Sequence, residues 1–237
     1  WVRGEFGSFE DLRQLDGHAI EVVVHLGAVT GGCRERDAIL VNVEGSRSLM
    51  RYLMDRGCRK FVMASSIAAV GFQSPHFRPL QAPIPDEHPC LDRDGYGLSK
   101  YLMEEVTRYY HRQVDEIDVV NLRLSSVAPD DSMPPLKEVG PVGPWSLGGI
   151  TLMALSDAVR AFALAAEAPH RPGLRIMNAA GPKAWTAVPV VEILGNWWGR
   201  DVDLSYFEVS GREYDSVYEV GRIEQELGFV AERVGCQ

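Results

Sequence analysis

An α/β fold built on a doubly wound parallel sheet is what this 237-residue chain predicts, and three observations carry the prediction. Short apolar runs alternate with stretches of helical spacing. The runs Glu21–Ala28 and Lys60–Ser66 are continuously apolar rather than alternating, as strands covered on both faces are. Each ends in small or polar residues, Gly27-Ala28 and Ser65-Ser66, at the carboxyl edge where such sheets hold their ligands.

Taken in order, strands are expected near 20–26, 60–66, 117–123 and 174–178. Between the first two, Asp37 to Arg56 carries Leu40, Val43, Leu49 and Leu53 at helical spacing and then Gly57, a C-cap residue. Gly71 to Gly95 is a long proline-rich connection, read equally well as a functional loop or as a stiffened surface crossover. A helix follows it, beginning at Gly95-Tyr96-Gly97-Leu98-Ser99-Lys100. Beyond the strand at 174–178, Trp185–Trp198 reads as a helix and Val202–Phe207 as a further strand.

Tyr96 and Lys100 carry the chemistry. Four residues apart at a helix start, they share one face. A phenol with pKa near 10 is a poor base at neutral pH, and a fixed ammonium beside it lowers that pKa. The pair is then a general acid/base for the proton of a hydroxyl. Ser66, at the strand end, is the candidate to orient the reacting oxygen, with Ser65 as its neighbour. For His25 the simpler reading is packing at a strand end, and for Asn42 it is tying the following loop to the core. Arg123 reads as structural, Trp197-Trp198 as core or an interface patch, and Asp130-Asp131 as a solvated loop.

These pieces together resemble the extended short-chain dehydrogenase/reductase family, of the NAD-dependent epimerase/dehydratase type. His25-Leu26-Gly27-Ala28 resembles its cofactor-lining turn and Asn42-Val43-Glu44-Gly45 its Asn-Val-x-Gly helix. Ser65-Ser66-Ile67-Ala68-Ala69-Val70-Gly71 is similar to the strand end with the catalytic hydroxyl. Pro85-Asp86-Glu87-His88-Pro89, then Tyr96 to Lys100, resembles the loop into the catalytic helix. Leu122–Val127 resembles the next strand, and Leu227-Gly228-Phe229 the C-terminal signature.

The resemblance implies a Rossmann-like sheet in one domain, 1–237. Residues 128–150 and 180–237 would contribute a small C-terminal substrate lobe. It implies catalytic Ser66, Tyr96 and Lys100, and substrate contacts from Ser66 and Ser126. NAD or NADP would be held by Leu26, Gly27, Ala28, Asn42, Ser65, Tyr96 and Lys100. The reaction implied is that of an oxidoreductase or epimerase/dehydratase on a secondary alcohol or ketone of a sugar-like molecule.

One departure stands out. Residues 1–237 contain no Gly-x-x-Gly-x-x-Gly turn for the cofactor pyrophosphate. Trp1-Val2-Arg3-Gly4 resembles the family's third strand, so about sixty residues of the family pattern lie outside this sequence and the sheet is expected to be N-terminally incomplete. A cofactor-free relative, acting as a binding or scaffold protein or through a Tyr/Ser proton relay alone, is therefore the alternative.

Composition narrows the partners. A net charge of −9 without a basic, aromatic-laced cluster argues against nucleic acid. The most apolar stretch, Gly149 to Ala168, is cut by Asp157 and Arg160, so a buried amphipathic helix is expected there rather than a membrane span. Cys33, Cys58, Cys90 and Cys236 fit no metal or redox spacing and read as reduced thiols. The expectation is a cytoplasmic enzyme with a small-molecule substrate, no metal, and a homodimeric state.

Overall fold

The computed structural model describes residues 1–233, so Cys236 lies outside the described residues. After a short helix α1 (Phe9–Leu12), four parallel strands form the main sheet: β1 (Val22–His25), β2 (Lys60–Ser66), β3 (Asp118–Leu124) and β6 (Gly173–Ala179), in the order β1-β2-β3-β6. The register pairs Val22 with Lys60, Lys60 with Asp118 and Asp118 with Gly173; β2, β3 and β6 finish level at Ser66, Leu124 and Ala179, while β1 stops earlier, with His25 beside Met63. A second, two-stranded parallel sheet joins β4 (Ser126–Ala128) to β5 (Leu152–Ala154).

Alternation along β2 sorts the core into layers, because successive strand side chains point to opposite faces. Phe61 and Met63 face a cluster with Leu49, Leu53, Met103 and Tyr110. These come from α3 (Ser46–Met54) and α4 (Gly95–Gln113). Val62 and Ala64 face Ala158, Ala161, Phe162 and Ile223, supplied by α5 (Leu155–Glu167) and α7 (Gly221–Leu227). A third cluster gathers Phe72, Phe77 and Ile84 of the long connection around Trp197 and Trp198 of α6 (Val190–Trp198). The two tryptophans are core, and Trp197 donates its ring N–H to Gly140 O at 2.7 Å.

The first helical stretch runs from α2 (Glu35–Ala38) through a π-helical segment, Ile39–Gly45, into α3. Gly57, at φ +92°, follows it, and Cys58 N–H reaches back to Leu53 O at 3.0 Å, as a glycine-terminated helix does. The proline-rich connection alternates between core and surface: Phe72, Phe77, Ile84, Asp86 and His88 are buried, whereas Leu80, Glu87 and Leu91 are exposed. Asn178 of β6 donates its backbone N–H to the Asp86 carboxylate and its side-chain amide to Ile84 O, clamping the connection to the sheet.

Three expectations are corrected. Trp1–Gly4 forms no strand, since no strand lies beyond β1 to pair with it; the segment is exposed and leads to Phe6, which is half-buried. Val202–Phe207 is not a strand but ends in a 3-10 turn, Ser205–Glu208, because the Asp203 carboxylate accepts the Ser205 N–H at 2.9 Å and bends the chain. The α6 helix starts at Val190 rather than Trp185, with Pro189 at its N-cap. Asp130, in its partly exposed loop, accepts the backbone N–H of Ser156 at 3.0 Å in the first turn of α5.

Candidate active site

β2 ends at Ser66, whose hydroxyl accepts the Ala68 N–H at 3.1 Å and starts a one-turn 3-10 helix, Ile67–Ala69. Asp94 caps α4, accepting the N–H groups of Tyr96 and Gly97 at 3.0 and 2.9 Å. The two turns approach closely at Gly97, where a Cβ would lie 2.6 Å from Ala68 O. Any side chain there would push the helix start away, so the glycine is what lets Tyr96 stand beside Ser66. Ser66 and Tyr96 both line a cavity of about 210 Å³, and the Ser66 hydroxyl is near enough to pull the Tyr96 pKa down.

Lys100 lies one turn further along α4. Its ammonium sits 5.7 Å from the Tyr96 ring centre, is 3% exposed, and donates to Ala64 O at 2.7 Å. Burial lowers its pKa to about 8, with Glu104, another turn on, pulling the other way. The expectation for Tyr96 is corrected here: burial raises its pKa, and the Ser66 hydroxyl only partly offsets that. Tyr96 is therefore a neutral phenol at neutral pH, able to give a proton but a weaker acid than a free phenol.

Behind the three residues stands a buried ion pair that the spacing argument missed. Glu104 is bound by Arg123 through Nε and Nη2 at 2.9 and 2.8 Å, with side chains 1% and 2% exposed. Ser65 donates to the same carboxylate at 2.6 Å. The signal was available, since Tyr96, Lys100 and Glu104 repeat every four residues on one face. Arg123 also donates to Asp86 O at 2.9 Å, which joins the connection to the site floor.

The residues expected to line the cofactor fall into two groups. Asn42 uses its amide inward, accepting from Val29 N at 2.8 Å and donating to Val29 O and Ser99 Oγ at 2.9 Å each. Ser65 is likewise committed to Glu104. Leu26 and Gly27 are exposed and Ala28 half-exposed at the end of β1. A flat ring does approach Gly27, but it is that of Phe6: a Cβ on Gly27 would lie 2.8 Å, and one on Gly45 2.5 Å, from its ring carbons. Phe6 meets His25 edge-on at 4.8 Å. His25 is held by Ser46 Oγ at 3.0 Å, and burial lowers its pKa to about 4, so it is neutral. Ser126, expected to touch substrate, lines the same cavity as Ser66 and Tyr96.

A parallel α/β sheet with a hydroxyl, a phenol and an ammonium converging at its carboxyl edge defines a class of fold and site. A sequence model of the NAD dependent epimerase/dehydratase family matches residues 2–132, and the chain belongs to that family. It is 30% identical over 82 residues to UDP-glucose 4-epimerase 2 of Oryza sativa subsp. japonica, covering 35% of this chain and 19% of that protein. To the NAD-dependent glucose-6-phosphate dehydrogenase of Haloferax volcanii it is 31% identical over 121 residues, 48% of this chain and 45% of that one. The match thus spans less than half the length of these relatives.

Among solved structures, a short-chain dehydrogenase/reductase superfamily protein from Agrobacterium tumefaciens with bound NAD superposes with TM-score 0.67 at 22% identity, covering 98% of this chain and 81% of that one. UDP-glucose 4-epimerase from Bifidobacterium longum, in complex with NAD+ and UDP, gives 0.68 at 16% identity, covering 98% and 78%. These likenesses show the fold. Among the described residues no helix is long and apolar enough to cross a membrane.

Proposed function

We propose that this chain carries the proton-transfer and substrate side of an NAD(P)-dependent oxidoreductase or epimerase/dehydratase acting on a secondary alcohol or ketone of a sugar-like molecule. The observation that supports it is the Ser66–Tyr96 hydroxyl pair on the wall of a cavity, with the Lys100 ammonium behind it. In this reading Ser66 and Tyr96 hold the substrate oxygen between them. Tyr96 gives its proton to a ketone oxygen, or takes the proton of an alcohol once a nearby positive charge makes phenolate accessible. Ser66 keeps that oxygen in line and donates to the phenolate as it forms.

The residues present fit the nicotinamide end of the cofactor better than its phosphates. Lys100 has N–H groups beyond the one given to Ala64 O, and Leu26, Gly27 and Ala28 form an open turn, with Phe6 against Gly27. No glycine turn for the pyrophosphate occurs in residues 1–237. When bound, the nicotinamide accepts or returns the hydride of the reacting carbon. Position and proton transfer fall to the chain's own side chains.

The test is steady-state turnover of Tyr96→Phe, followed by nicotinamide absorbance over a panel of sugars, sugar acids and simple secondary alcohols. The ring keeps its packing and only the oxygen is lost, so turnover should fall ~10²–10⁴-fold while the melting temperature stays put. Near-normal turnover would reduce the motif to a coincidence of spacing. The homodimer implied by the family resemblance is read in the same preparation as a doubled mass by light scattering.

A further inference from the structure

The cavity beside Tyr96 holds two polar groups that no step of the proposed chemistry uses. Gln73 is 9% exposed and its Nε2 has no partner; Ser125 is 6% exposed and its Oγ has none. Both line this cavity together with Ser66 and Tyr96. Buried polar side-chain atoms are nearly always satisfied, because an unmade hydrogen bond forfeits the hydration the group had in the unfolded chain. Two orphans on one small cavity, a pure donor and a donor/acceptor, describe a ligand's oxygens more economically than an apolar guest.

The third wall is Trp145. It is the one non-glycine residue with positive φ among the described residues, +67°, and its indole remains about half exposed. That backbone is disfavoured for a bulky residue and persists where surroundings hold it. Its backbone N–H donates to the Gln73 backbone carbonyl at 3.3 Å, and its ring lies on Gly31 so closely that a Cβ there would stand 2.0 Å from ring carbons. Strain is thus spent to lay a flat apolar ring along a cavity whose buried end is polar. The cavity, about 210 Å³, is below the ~300–1,000 Å³ of drug-sized sites and suits a single six-membered ring.

We infer that Gln73 and Ser125, with the Trp145 ring as a platform, read oxygen substituents on carbons flanking the reacting one, so that the substrate held here is one polyhydroxylated ring. Gln73 Nε2 donates to one flanking oxygen and Ser125 Oγ exchanges a hydrogen bond with another. The C–H face of the ring packs on the indole, whose flat apolar surface loses little entropy in the contact. Any group attached to the ring at its far side lies outside this cavity. The inference rests on the Tyr96 reading for the term "reacting carbon" and on nothing else in it.

Binding is measured by calorimetry with D-glucose, D-galactose, D-glucuronate and myo-inositol as probes, each with and without NAD⁺, against monodeoxy analogues of the best probe and cyclohexanol. The wild-type chain should bind at least one probe and lose ~10-fold or more with a monodeoxy analogue, since a site built to bond a hydroxyl rejects the compound lacking it. Gln73→Met and Ser125→Ala should each erase the discrimination at one position, and Trp145→Ala should weaken all ring probes while Trp145→Phe restores part. Wild type that binds no probe, or binds deoxy analogues and cyclohexanol equally well, overturns the inference, and that outcome needs no variant to fold. Nicotinamide turnover on a probe with Gln73→Met and Ser125→Ala unaffected sinks this inference and leaves the Tyr96 reading standing. Probe binding that follows the expected pattern without turnover does the reverse.

Discussion

Lys100 shows how one buried charge shapes a site. Its ammonium has lost most of its hydration, and one carbonyl and a carboxylate a turn away only partly replace it. The folded-state pKa of about 8 is below the unfolded value near 10.4. Between those values the unfolded chain holds more protons than the folded one, so stability rises with pH across that window and the full penalty applies below it. We predict that wild type gains stability from pH 8 to pH 10 relative to Lys100→Met, by ~1–3 kcal/mol, read from urea midpoints of both proteins at each pH. Parallel profiles would show that Lys100 is hydrated or neutralised in a way this geometry does not contain. The same titration bears on chemistry: the charge that would support a Tyr96 phenolate is itself lost above about pH 8.

At the scale of elements, the site depends on places where two segments come too close for a side chain. Gly97 sets α4 against the turn after β2. Gly27 and Gly45 between them make the pit that Phe6 fills, which fastens the N-terminal segment to β1 and to the helix beginning at Glu35. Gly45→Ala would drive a methyl to within 2.5 Å of the ring, and overpacking of this kind costs ~1–3 kcal/mol. Phe6→Ala alone should also destabilise, by ~1–3 kcal/mol, because the ring is only half-buried. In the double variant the new methyl has room, so the two costs should fall short of their sum by at least ~1 kcal/mol. Strict additivity in chemical denaturation would place Phe6 elsewhere. The Glu104–Arg123 pair links α4 to β3 in a similar way. Arg123→Met, which leaves a carboxylate buried alone, should cost ~3–5 kcal/mol, and Glu104→Leu in the same chain should restore much of it.

The whole molecule is held together by the connection between β2 and α4, which threads from the site to the Trp198 cluster and back to the sheet. Its tie is Asp86, whose carboxylate accepts the Asn178 N–H and whose pKa burial raises to about 6. A carboxyl raised in the folded state contributes stability that is complete below the unfolded pKa near 3.9 and is lost as pH rises through 6. Asp86→Asn keeps an acceptor for the Asn178 N–H and removes the titration. The variant should therefore gain on wild type by ~2–3 kcal/mol between pH 4 and pH 6.5 and level off above, measured as urea midpoints. A constant difference across that range would mean the Asp86 carboxyl is ordinary.

Periodicity and end residues were enough to locate the four parallel strands within one or two residues, and to set Ser66, Tyr96 and Lys100 at one edge. The reason is physical: a strand covered on both faces must be continuously apolar, and a helix start must be capped, so both leave marks in the order of residues. What the order of residues could not convey was direction. Whether Tyr96 is made acidic by Lys100 or weakened by burial depends on which way an ammonium turns, and here it turns to Ala64 O. Whether Gly27 admits a ligand or Phe6, whether Val202–Phe207 finds a partner strand, and where Gln73, Ser125 and Trp145 meet are decided by contacts between residues tens of positions apart. Local sequence determined the elements and the candidate chemistry of this protein; desolvation and close approach, which exist only once the elements are packed, decided how that chemistry is tuned.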